Sequence, residues 1–144
     1  MPMIEAKVTM QLPAEKRDIL KAEFGKAITI MGKPESYLMI NLIDNQDLYF
    51  AGNKLDKGAY IEVKVLGSVD AGASDKMTAR LCEILQNELG IPGDAVYVSY
   101  WGTSNWVGTV GTFSFAKTTR SFRASFLFRC GFFSVLICVL YLLA

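Results

Sequence analysis

IEAKV at residues 4–8 returns as IEVKV at residues 61–65, and GKPESYLMINL at 32–42 returns as GIPGDAVYVSY at 90–100, offsets of 57 and 58 residues. A unit of that length holds one strand, one helix and a second strand, and such a unit makes a parallel crossover. Two copies predict an α+β fold in which two β-α-β repeats form a four-stranded mixed sheet with two helices on one face. The other face is then expected to be apolar and to need covering by further copies of the chain, so the repeat also predicts an oligomer.

Local patterning supports each element. Ile4, Ala6, Val8 and Met10 alternate with Glu5, Lys7 and Thr9, the period-2 mark of a half-buried strand over residues 3–10. From Pro13 to Met31 the apolar positions Leu20, Phe24, Ala27, Ile28 and Met31 recur at helical spacing, and Gly32 suits a helix stop. YLMINLID at 37–44 reads as a buried strand, residues 48–50 as a short one, and AYIEVKVL at 59–66 as a second alternating strand. Met77, Leu81, Ile84, Leu85 and Leu89 make the stripe of a second helix, ended by Gly90 and Pro92, and AVYVSYW at 95–101 is the closing strand.

Composition removes several chemistries. The chain has no histidine, which excludes Ser-His and Cys-His nucleophile systems and imidazole metal sites. Its three cysteines, Cys82, Cys130 and Cys138, have no CxxC spacing, so neither a disulfide scaffold nor a zinc knuckle is supported, and no metal or other cofactor is implied. Residues 1–116 carry 11 basic and 14 acidic groups, a net −3, whereas residues 117–144 carry Lys117, Arg120, Arg123 and Arg129 and no acid. An acidic body without a basic face does not bind a phosphate backbone, so nucleic acid is not an expected partner. The first ten residues lack the basic start and apolar run of a signal peptide, which predicts synthesis in the cytosol.

With Pro2, Gly32-Lys33-Pro34 followed by Tyr37-Leu38-Met39, Val65-Leu66-Gly67, Val96-Tyr97-Val98 and a stretch from Asn105 ending in Thr112-Phe113, the sequence resembles the macrophage migration inhibitory factor family of tautomerases over residues 1–116. The resemblance implies a homotrimer with a keto-enol tautomerase site between subunits. It implies that Pro2, exposed by removal of Met1, is the catalytic base, and that Lys33 and the backbone N–H of Leu66 hold the carboxylate of a small aromatic keto acid such as phenylpyruvate. Tyr97, from an adjacent subunit, is implied to lie beside the reacting centre, with Tyr37, Ser99, Trp106 and Phe113 as further substrate-binding candidates. A chain-end amine suits the role of base: it is the weakest base among the protein's amines, and an apolar pocket beside a cation disfavours its charged form further. Ser99 stands where vertebrate members carry Asn. The CxxC of some members is replaced by Asp56-Lys57-Gly58-Ala59, so no thiol-disulfide activity is carried over.

Plainer roles stand beside these. Lys33 also suits a helix C-terminus, where the dipole favours a cation. Tyr97 alternates with Val96 and Val98 and also suits interface packing. Cys82 lies beside Leu81 and reads as a buried thiol. Besides the enzyme, the chain could be a cytokine-like ligand secreted without a signal peptide, or a structural trimer with idle relics of a site. The tail from 117 to 144 is basic and then apolar. Its last fifteen residues are uncharged, short of the roughly 20 needed to cross a bilayer, which leaves a membrane anchor over 124–144 and a functionless extension, such as read-through sequence, as the two readings.

Overall fold

The computed structural model describes residues 1–108 and 111–114. In chain order these form strand β1 (Pro2–Val8), helix α1 (Ala14–Ala27), β2 (Met39–Ile43), β3 (Tyr49–Phe50), β4 (Asn53–Lys54), β5 (Ala59–Leu66), helix α2 (Ala71–Leu89), β6 (Val96–Thr103), β7 (Asn105–Gly108) and β8 (Gly111–Ser114). The main sheet has the order β2-β1-β5-β6. β1 runs parallel to β2 and β5 parallel to β6, while β1 and β5 meet antiparallel in the centre. Each repeat therefore supplies one parallel pair, and the two pairs join into the expected mixed sheet.

Alternation along the central strands builds the core. Ile4, Ala6 and Val8 pair with Val63, Ile61 and Ala59, and all six are buried on one face. Leu20, Phe24, Ala27 and Ile28 from the first repeat and Met77, Leu81, Ile84 and Leu85 from α2 close over that face. The helices lie antiparallel, with Lys16 paired to Glu88 at one end and Arg80 to Glu23 at the other. Asp70 caps α2 by accepting from the Ala73 N–H at 2.8 Å, and Gly90 ends it with φ +65° and ψ +30°. Gly32 adopts nearly the same left-handed geometry, φ +65° and ψ +25°, at the corresponding point of the first repeat. A positive φ at both places is why glycine recurs there.

The opposite sheet face corrects an expectation, because it is not apolar. It carries Glu5, Lys7, Glu62 and Lys64, with Lys7 3.1 Å from Glu5 and 3.6 Å from Glu62, and Lys64 2.7 Å from Glu62. Asn41 donates to Glu5 at 3.1 Å, and the Tyr60 hydroxyl lies 3.1 Å from Ser99 Oγ. The reason is the alternation itself: the same period that buries Ile4 and Val63 turns their neighbours outward, and the central register stacks those polar neighbours together. Hydrogen bonds from Lys7 and Lys64 hold the Glu5 and Glu62 carboxyls below their ordinary range. The most exposed large apolar side chains on this face are on the flanking strands, at Met39, Tyr97 and Trp101.

Smaller differences have local causes. The first helix is α-helical only to Ala27 and tightens into a 3₁₀ turn over Ile28–Met31. The first strand stops at Val8, short of Met10, and the closing strand continues to Thr103. The β7–β8 hairpin is an addition to the elements read from the sequence. Among the described residues no helix is long and apolar enough to cross a membrane. The segment from 117 to 144, with the anchor reading at 124–144, lies outside the described residues.

Phe24 is wholly buried between helix and sheet. Phe24→Ala is expected to destabilise the fold by about 3–5 kcal/mol through lost burial and the cavity left behind. Asp70→Ala, which removes only a helix cap, is expected to cost about 1 kcal/mol. Urea unfolding of the two variants checks the order and the gap.

Candidate active site

The antiparallel centre of the sheet sets Pro2 opposite Val65, which brings the start of the chain to the end of β5. Met1 continues past that pair, and its carbonyl accepts a hydrogen bond from the Leu66 N–H at 3.2 Å. From the other side comes Lys33. The turn at Gly32 and the extended Pro34 lift it off the end of the 3₁₀ segment, and its Nζ donates to the Leu66 carbonyl at 2.9 Å. Lys33 therefore spends its hydrogen bond on a neighbouring strand, six residues beyond the last residue of α1, and does not cap that helix.

These contacts gather one amine, one ammonium and one backbone N–H at the edge of the core. The Met1 amine is pushed below its ordinary pKa, first by burial and second by the positive charge of Lys33. Both causes act in the same direction, because each disfavours the protonated form. Pro2 itself is buried. Such a group is a base that stays neutral closer to physiological pH, next to a cation and an N–H suited to holding an anionic ligand.

The remaining candidates come from other segments of the chain. Tyr37 closes the 3₁₀ turn Glu35–Tyr37, four residues after Lys33, and is half exposed. Trp106 sits on β7, whose strand begins two residues after Thr103, the backbone partner of Leu66. Phe113 is paired with Trp106 across the hairpin. Tyr97 and Ser99 stand apart. Tyr97 is in register with Tyr60, five residues down β5 from Val65, a separation of about 16 Å at roughly 3.3 Å per residue. It also points to the face away from Pro2, with its ring 5.6 Å from that of Phe50. Ser99 is turned the same way and bonds Tyr60 and the Trp101 indole N–H. Within one chain, then, Pro2, Lys33 and Leu66 converge, and Tyr97 does not reach them.

A sequence model of the macrophage migration inhibitory factor family matches residues 1–115. This chain belongs to that family. Among the family's members, it is 30% identical to a homologue from Trichuris trichiura over 83 residues, 58% of this chain and 72% of that protein. It is 31% identical to the Xenopus laevis macrophage migration inhibitory factor over 70 residues, 49% of this chain, and spans only 60% of that relative's length. The crystal structure of Leishmania major MIF2 superposes with a TM-score of 0.73 at 29% identity, covering 78% of this chain and 97% of that one. The resemblance on which the sequence reading rested is thus to the right family, and the fold is the family's fold.

Two participants were missed in the sequence. One is the Met1 carbonyl, which a reading by side-chain type passes over. The other is Thr103, whose carbonyl accepts from the Gly67 N–H at 2.8 Å and ties β6 to the end of β5. Its only signal is that the YVSY alternation runs on two residues past Trp101.

In protein that retains Met1, Lys33→Ala is expected to raise the pKa of the chain-end amine toward its ordinary value, because the second of the two causes that lower it is gone. An NMR titration of that amine reads the shift. An unmoved midpoint would mean that Lys33 does not act on the amine.

Proposed function

We propose that the chain is a keto-enol tautomerase of small aromatic α-keto acids such as phenylpyruvate, working as a homotrimer with Pro2 as its base. The observation that carries the reading is the convergence of the chain start, Lys33 and the Leu66 N–H, with the amine held below its usual pKa. Met1 occupies this arrangement as it stands, since its carbonyl takes the Leu66 N–H. Removal of Met1 would make the Pro2 nitrogen a secondary amine and release that N–H together.

The chemistry then follows from the groups present. The neutral Pro2 nitrogen takes a proton from the carbon next to the ketone. The C–H electron pair becomes the C=C bond of the enol, the carbonyl π pair moves to oxygen, and the Pro2 ammonium just formed gives its proton to that oxygen, which restores the neutral amine; the reverse path returns the ketone. Lys33 and the Leu66 N–H fix the carboxylate so that this carbon faces the amine. Tyr97 of a neighbouring copy supplies the aromatic wall that one chain holds about 16 Å along the strand direction, and two strands across, from its own Pro2. Tyr37, Ser99, Trp106 and Phe113 are the further substrate-binding candidates of this reading.

Activity is expected to need the Pro2 amine neutral once Met1 is removed, so turnover should fall as pH drops through that amine's own titration, read from a pH–rate profile. Pro2→Gly should lose most phenylpyruvate enolisation while keeping the trimer, because glycine retains an amine but not the ring or the secondary basicity; unchanged turnover removes Pro2 as the base. Lys33→Ala should raise KM by roughly ten- to a hundredfold, the worth of one charge-assisted hydrogen bond, and lower kcat less. Sedimentation of a form ending at residue 116 should give a trimer at micromolar concentration, and a monomer there would argue against a shared site.

A further inference from the structure

We propose that Gly102 is a positioning residue for this site: by carrying no side chain it lets β6 run on past Gly67 and hold the Leu66–Gly67 peptide on which Lys33 is seated. The proposal rests on the tautomerase reading for its kinetic consequence, but its structural part stands without it.

One peptide plane is gripped from both ends. Its carbonyl, that of Leu66, accepts from Lys33 Nζ at 2.9 Å, and its N–H, that of Gly67, donates to the Thr103 carbonyl at 2.8 Å. The second grip exists only because β6 extends far enough to pair Gly102 with Val65 and Thr103 with Leu66. At Gly102 the approach is so close that a Cβ would lie 2.5 Å from the Gly67 carbonyl oxygen and 3.4–3.5 Å from Val69. The obstacle is backbone, not the end of a flexible side chain, so a methyl group there must move the Gly67 peptide or push β6 away. Gly67 has φ +99°, a conformation already restricted to glycine, which leaves little room for a compensating change.

The internal repeat supplies the comparison. The strand corresponding to β6 is β2, which has five residues against eight and ends at Ile43. There Asp44 follows with a side chain that accepts from the Leu12 N–H at 3.1 Å and pairs with Arg17. The first repeat thus turns its second strand away with a carboxylate anchor, whereas the second repeat prolongs its strand through a glycine, and the prolonged strand is the one paired with Leu66.

Gly102→Ala tests the assignment, with Gly93→Ala as the control, since a Cβ at Gly93 meets nothing within 4 Å. The expected result is a KM for phenylpyruvate raised roughly tenfold with kcat changed much less, as for a carboxylate clamp that has lost its seat, and no change in the control. In parallel, hydrogen exchange of the Gly67 amide should quicken by about tenfold or more while Ile4 and Val63 at the sheet centre keep their protection. Normal KM and normal Gly67 protection in Gly102→Ala would overturn the proposal. Should the wild type show no enolisation at all, the tautomerase reading fails, while selective loosening of Gly67 would still establish Gly102 as the support of that peptide. Should Gly102→Ala not fold, the wild-type exchange decides: the Gly67 amide must be protected far beyond its loop neighbour Ser68, and equal rates would overturn the proposal.

Discussion

The antiparallel register of β1 and β5, with Ile4 against Val63 and Ala6 against Ile61, governs the rest of the molecule. Alternation along both strands lets this pairing put Ile4, Ala6, Val8, Ala59, Ile61, Val63 and Val65 on one side, where the two helices cover them. A slip of β1 by one residue would exchange Ile4 for Glu5 beneath the helices, at a cost no surface contact could offset. The same register decides where the chain begins. Pro2 ends opposite Val65, and Met1 opposite Leu66, so the chain-end amine is delivered to the mouth of the second repeat by the packing of the core.

The polar sheet face changes the view of association. A face carrying Glu5, Lys7, Glu62 and Lys64 as an ion-paired lattice gains little by burial, since desolvating such groups costs more than their mutual attraction returns. The features that favour contact lie at its flanks. Among the described residues β2 and β6 are the outer strands of the four-stranded sheet, and they carry the exposed Met39, Tyr97 and Trp101. Copies joining along these edges would leave the charged lattice hydrated, whereas the expectation from the repeat had placed the driving force on the face itself.

The repeat duplicates the scaffold without duplicating the chemistry. The position in the second unit that matches Pro2 is Ala59, whose nitrogen is an ordinary peptide amide inside a continuous chain. The position that matches Lys33 is Ile91, which is fully buried. The unit containing the chain start offers an amine, which an internal peptide nitrogen at Ala59 cannot. The second unit contributes backbone instead: the Leu66–Gly67 peptide and the prolonged β6 that holds it.

The element order, the duplicated β-α-β plan and the family are legible in the sequence alone. These follow from periodicity, from glycines confined to positive φ, and from motifs in a shared order, all of which are local and survive in one dimension. Tertiary structure alone decided which face of the sheet is polar, because that depends on how two alternating strands register against each other. It also decided that Met1 shields the Leu66 N–H, that Lys33 reaches a strand carbonyl and not a helix end, and that Tyr97 lies at the other end of the sheet from its own Pro2. Each of these is a contact between segments more than 30 residues apart or a distance across the sheet, set by the packing of backbone on backbone, for which residue type carries no signal.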